Sequence, residues 1–199
     1  MIFVCSRGRR KTVETFFSVS QPMLCGRVLI DDDDPSYEGM SLPANWSFLS
    51  GKRAPVTRIL NRAYEAMPKE PFYAVICDDM VYLSDDWDLK LSEAAGSRYV
   101  AWGDDGRWGK KLCTSFFIGG DLIRKMGWLV HPAVGHLYGD TIWWMIASAA
   151  GIGRYLPEVQ FRHHKIVDRT FKERRIANDA ETFARLRFDI PELTKRAAL

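Results

Sequence analysis

The stretch "FYAVICDDMVYL", Phe72 to Leu83, climbs a short apolar run and sets two adjacent carboxylates, Asp78 and Asp79, at its end. Like charges a few Å apart raise each other's pKa unless a cation or hydrogen bonds offset the repulsion. The pair therefore predicts a bound cation, and hard carboxylate oxygens suit Mg²⁺ or Mn²⁺. A second apolar run, "GRVLIDDDDP", ends in four acids, Asp31 to Asp34, before Pro35 forbids continuation. Asp33 and Asp34 read as a turn. Asp104 and Asp105 in "WGDDGRWG" repeat the paired-acid look, but their flanking glycines favour a surface turn and leave them as a reserve metal site. Asp140 opens a strongly apolar helical pattern, "DTIWWMIASAAG", where the dipole favours an ionised carboxylate and Asp also serves as a cap.

These groups need a scaffold that brings chain positions far apart to one edge. Ile2 to Cys5 read as a buried strand, followed by a polar turn and a helical pattern from Thr12 to Val19. Val28 to Ile30 read as a second strand. The chain between Pro43 and Pro55 reads as loop, and "VTRILNRAYEAM" places Ile59, Leu60, Ala63, Tyr64 and Met67 on one helical face. The strand that ends at Asp78 follows. This alternation of strand and helix predicts an α/β chain with a mostly parallel sheet flanked by helices, and such sheets bind ligands at the carboxyl ends of their strands. In the second half, "YVAWGDDG" and "CTSFFIGG" read as strands, "DLIRKMGWL" as a short helix, and "RYLPEVQFRHHK" as a final strand or extended segment leading to a His pair.

Composition sets bounds on partners. With 199 residues, 47% hydrophobic and 27% charged, the chain is sized for one sizeable core. Residues 1–168 read as the sheet domain, and residues 169–199 as a basic, amphipathic helical tail. That tail holds eight Lys/Arg against five Asp/Glu, an excess equal to the whole net charge of +3. The four cysteines are dispersed with no C-x-x-C, which speaks against a zinc site or a disulfide framework. No run approaches a membrane span, and a reducing, cytoplasmic setting is the expectation.

Taken in order, "VCSRGR", "VLIDDDDP", "VICDDM", "TSFFIGGDLIRKMGW", "HLYGDTIWW" and "FRHHK" resemble the GT-A fold glycosyltransferases that use nucleotide-sugar donors, in particular the family 2-like group of small bacterial and phage enzymes. The resemblance runs from Met1 to about Lys165. It implies that Ser6, Arg7 and Arg9 lie near the donor, that Asp31 or Asp32 holds the uridine or ribose of a UDP-sugar, and that Asp78 and Asp79 sit at an Mn²⁺ or Mg²⁺ ion on the diphosphate. It further implies that Asp140 is the catalytic base and that His163 or His164 completes the metal site. Where the family often has Glu-Asp, this chain has Gly139-Asp140, so the base rests on a single acid.

The chemistry asks for the same parts. Cleaving a sugar from a nucleoside diphosphate develops negative charge on the leaving phosphate, which a divalent ion stabilises, while the attacking hydroxyl must lose a proton to a general base. Lys52 and Arg53 in "SGKRAP" supply further positive charge for the diphosphate. His131 and His136 read as loop surface that can reach an acceptor, and one of Trp143 and Trp144 as a candidate pocket wall. A sugar nucleotidyltransferase would use a similar sheet and metal, yet "SRGRRK" is a poor phosphate loop. A purely nucleic-acid-binding protein is disfavoured by acids at two strand ends, which repel phosphate. For the acceptor, the arginines of the tail interleaved with Phe171, Phe183 and Phe188 favour DNA bearing a hydroxymethylated pyrimidine, with a bacterial surface glycan as the alternative.

Overall fold

The computed structural model describes residues 1–163 and 176–198. The strands among them form one eight-stranded sheet in the order β3-β2-β1-β4-β7-β6-β8-β5. β1 (Ile2–Cys5), β2 (Gly26–Asp31), β3 (Trp46–Gly51) and β4 (Phe72–Cys77) are mutually parallel. β7 (Phe116–Gly119) runs antiparallel between β4 and β6 (Val100–Asp104), while β8 (Gly153–His163) returns parallel to β6. β5 (Met80–Tyr82) then pairs antiparallel with the far end of β8, so that Met80 lies opposite His163. The sheet is thus mixed, with its parallel half built from the strands whose carboxyl ends carry the acids.

Period-two burial explains how the sheet holds helices on both faces. In β1, Ile2 and Val4 point to one side and Phe3 to the other. On the first side α1 (Arg10–Ser20) seats Val13 and Phe16, and α3 (Trp87–Ala95) seats Trp87, Leu91 and Ala95. The opposite side receives Leu60 and Ala63 of α2 (Val56–Ala66), Leu122 and Ile123 of α4 (Gly120–Met126), and Ile142, Trp143 and Ile146 of α5 (Gly139–Ala149). At Gly103 a side-chain carbon would lie 2.2 Å from the Val159 carbonyl oxygen, and the β6/β8 register shifts at this point so that Asp104 faces Gln160. Glycine is required by that close approach.

Two elements depart from the sequence reading. Trp46–Gly51, expected as loop, is the edge strand β3: Trp46 turns inward, while Ser47 and Ser50 lie outward and break the apolar run that would have announced it. Among its described residues the tail comprises two helices, α6 (Ile176–Leu186) and α7 (Ile190–Ala198), because the chain turns at Arg187–Asp189 and its amides bond back to Phe183, Arg185 and Leu186. α7 packs on α4 and α5, and Leu186, Ile190 and Ala197 join the core on that side. Among the described residues no helix is long and apolar enough to cross a membrane.

Candidate active site

The parallel strands and the crossovers deliver the polar ends of β1, β2, β3, β4 and β6 to one edge of the sheet. Asp78 and Asp79 follow β4, both buried, at 3% and 8% exposure. The two acids share Arg9 and differ in their other partners. The Ser6 hydroxyl donates to Asp78 Oδ2 at 2.5 Å, and the Arg9 guanidinium donates to Asp78 Oδ1 at 2.9 Å. Burial pushes the Asp78 carboxyl above its ordinary range, a push that the Ser6 bond and the Arg9 charge offset only in part. The Tyr37 hydroxyl extends the chain, donating to Ser6 Oγ at 2.6 Å and accepting from the Arg9 amide at 3.2 Å. Nothing in the sequence marked Tyr37, which lies 31 residues from Ser6.

Asp79 faces another way. Its Oδ1 lies 3.0 Å from His163 Nε2, while Arg9 is 3.9 Å from Oδ2. The antiparallel β5/β8 pairing makes this contact, because Met80 and His163 are register partners. A carboxylate oxygen and an imidazole nitrogen this close together are a donor pair that a divalent cation could share. Among the described residues no group of three His, Cys, Asp or Glu side chains is gathered to hold a metal. His164, the other sequence candidate, lies outside the described residues.

Beside these acids, Arg7 clamps the buried Asp31 with two guanidinium nitrogens and also donates to the Ala54 carbonyl at 3.0 Å. This ties the β1, β2 and β3 ends together. Asp32 is exposed and its amide donates to the Gly51 carbonyl at 3.0 Å. Lys52 and Arg53 are exposed just beyond β3. Asp34 accepts from the Gly8 and Ser36 amides at 2.6 and 3.0 Å, so it is a turn former, as read from Pro35. Asp105 likewise closes a turn, since its Oδ1 accepts from the amides of Arg107, Trp108 and Gly109. Burial works to raise the Asp105 carboxyl, but those amide bonds outweigh it and hold the group below its ordinary range.

Asp140 stands in the first turn of α5, partly buried. Its Oδ1 accepts from the Thr141 amide at 2.7 Å and from the Thr141 hydroxyl at 3.3 Å. Burial nonetheless pushes its carboxyl above the ordinary range. Cys77 ends β4, immediately before Asp78. It is solvent-exposed, yet its thiol is pushed well up by burial and then by the charges of Asp79, Asp78 and Asp140 among others. Trp143 is fully buried with its indole N–H on the Leu129 carbonyl, while Trp144 donates to the Lys110 carbonyl at 3.1 Å. His131 accepts from the Ala133 amide at 3.4 Å and packs edge-on to Trp128.

The chain of buried hydroxyls has a measurable consequence. Ser6→Ala removes one donor from a buried carboxylate and the acceptor of the Tyr37 hydroxyl, and leaving buried polar groups unmatched costs about 1–3 kcal/mol. Urea denaturation of Ser6→Ala is expected to show that loss, and Tyr37→Phe a smaller one because Asp78 keeps its Ser6 bond.

No family model matches the chain, and no curated protein matches it in sequence. Solved structures do. A mannosyltransferase, PcManGT from Pyrobaculum calidifontis, in complex with GDP-Man and Mn²⁺, is similar with a TM-score of 0.69 at 11% identity, over 99% of this chain and 68% of that one. S. aureus TarS is similar with a TM-score of 0.57 at 11% identity, over 86% of this chain and 37% of that one. At such identities the likeness defines the backbone arrangement: the chain adopts the Rossmann-like α/β fold of GT-A glycosyltransferases.

Proposed function

We propose that the protein is a metal-dependent glycosyltransferase that moves a sugar from a nucleotide-sugar donor to an acceptor hydroxyl. The observation that carries this reading is the placement of Asp79 beside His163, directly after Asp78 at the carboxyl end of β4. Arg7 and Asp31, with Asp32 beside them, receive the nucleoside end. Asp79 and His163 would hold Mn²⁺ or Mg²⁺, and Asp78 would orient Arg9 toward the diphosphate together with Lys52 and Arg53. When bound, the ion stabilises the charge that develops on the leaving diphosphate. In the transfer the acceptor oxygen bonds to the anomeric carbon as the bond from that carbon to the diphosphate breaks. Asp140 takes the hydroxyl proton, and a carboxyl raised by burial is a stronger base than an ordinary one.

UDP-sugars are the first donors to test, and GDP-mannose the next because the similar mannosyltransferase holds GDP-Man and Mn²⁺. Thermal unfolding with each nucleotide sugar and Mn²⁺ is expected to single out one donor, since a ligand at 100 times its Kd adds about 2.7 kcal/mol. A panel that leaves the midpoint unmoved counts against the reading.

For the acceptor, the reading is DNA bearing a hydroxymethylated pyrimidine, supported by Arg187 lying over the exposed ring of Phe188 on the tail. Other tail arginines have internal partners: Arg185 bonds Glu181 and Arg196 bonds the Lys125 carbonyl. Arg174 and Arg175 lie outside the described residues. DNA binding that weakens steeply with salt, with a slope that flattens on replacing Arg174, Arg175, Arg185 and Arg187 by Ala, is the expected result, and no affinity at low salt turns the acceptor toward a surface glycan.

A further inference from the structure

The geometry points to α6 as a clamp on the loop that carries the base, with Asp179 and Phe183 as positioning residues for Asp140; this inference rests on reading Asp140 as the base. Residues 135–138 run directly into α5. Asp179 Oδ1 accepts from the Gly135 amide at 2.8 Å, and its Oδ2 accepts from the His136 and Leu137 amides at 2.8 and 2.9 Å. One carboxylate thus fixes three consecutive peptide units. From the other side the Thr57 amide of α2 donates to the Gly135 carbonyl at 3.2 Å.

The next residue shows what this fixation serves. Tyr138 adopts a left-handed backbone, φ 69°, which costs an L residue about 1–2 kcal/mol and persists only where surroundings enforce it. Its ring stacks on Phe183 of α6 with centroids 4.5 Å apart and planes 2° from parallel. Its carbonyl accepts from the Ile142 amide at 2.9 Å, a bond of the first turn of α5. Asp140 sits inside that turn, so its backbone is set by groups on α6.

Mere attachment of the tail does not require this arrangement. α7 is already seated by Ile190 and Ala197 in the core against α4 and α5. Asp179 is 9% exposed, and a carboxylate so enclosed is costly unless its oxygens are matched. Burial would raise it, but the three amide bonds outweigh burial and hold it below the ordinary range, so the clamp stays ionised. No spacing in the sequence links Asp179 to Gly135, which is 44 residues away.

The test uses the full chain, Mn²⁺ and the nucleotide sugar that the parent hydrolyses, with water as acceptor. Asp179→Asn is expected to lower kcat about 10- to 100-fold, the range a misplaced catalytic group costs, while the donor KM stays near the parent value. Hydrogen exchange is expected to speed up at the Gly135, His136 and Leu137 amides and to stay unchanged in β1 and β4. Phe183→Leu keeps the apolar seat and is expected to lower kcat less, in the same direction; it decides the matter if Asp179→Asn fails to fold. Faster exchange with an unchanged kcat overturns the clamp, as does a lowered kcat accompanied by lost protection in β1 and β4. A parent that hydrolyses no nucleotide sugar overturns the glycosyltransferase reading itself, and the clamp with it.

Discussion

Asp79→Asn is expected to lower turnover about 1,000-fold while leaving the protein folded. A divalent ion contributes several kcal/mol of charge stabilisation to a leaving diphosphate, and each 1.36 kcal/mol is a factor of ten in rate. Asp79 carries this effect because its oxygen lies 3.0 Å from His163 Nε2, whereas both oxygens of Asp78 bond Ser6 and Arg9. The substitution should therefore be equivalent to chelation. EDTA is expected to bring the parent down to the level of Asp79→Asn and to lower the variant no further. Undiminished turnover of the variant, or of the parent in EDTA, would show that the pair holds no essential metal.

Asp140→Asn is the second large effect, with an expected loss of about 10²- to 10⁴-fold, the usual contribution of a positioned general base. Donor binding should survive, because in the proposed mechanism Asp140 meets the acceptor hydroxyl. Two pH signatures accompany the loss. In the parent, activity should fall on acidification through a pKa above the ordinary carboxylate range, since burial raises the Asp140 carboxyl and only its ionised form accepts a proton. Stability should move the other way. A carboxyl whose folded pKa lies above its unfolded one binds its proton more tightly in the folded protein, so its contribution to stability is lost as pH rises through the folded value. Asp140→Asn has no such loss. Its unfolding midpoint relative to the parent should be higher at pH 7 than at pH 4, and the reverse ordering would mean that the hydrogen bonds from Thr141 outweigh the burial.

How much of this was legible in the sequence depended on how local each signal was. The run from Phe72 into Asp78 and Asp79 disclosed both a strand and its polar end, because apolar side chains and paired acids are adjacent in the chain. The same held for Val28 to Asp31 and for the apolar helix that opens at Asp140. β3 was missed because Ser47, Ser50 and the bracketing prolines resemble a loop, and only pairing with β2 shows that its outward positions can be polar. The division of labour between Asp78 and Asp79 was also hidden. It depends on Ser6 and Arg9, about 70 residues upstream, and on His163 at the far end of β8, partners that only the sheet order brings together. The break in the tail at Arg187–Asp189 and the grip of Asp179 on the loop before α5 belong to the same class, since charge counting sees a basic stripe and not the amides it meets.

The activity proposed for Asp79, His163 and Asp140 is a metal-assisted transfer from a nucleotide sugar. The most direct measurement is the release of nucleoside diphosphate from a panel of nucleotide sugars with Mn²⁺, in the parent, Asp79→Asn and Asp140→Asn side by side. The parent is expected to release it from at least one donor, EDTA to abolish that release, and either variant to show little or none. Release that neither variant nor EDTA diminishes, or a parent inert toward every donor that it binds, would contradict that activity.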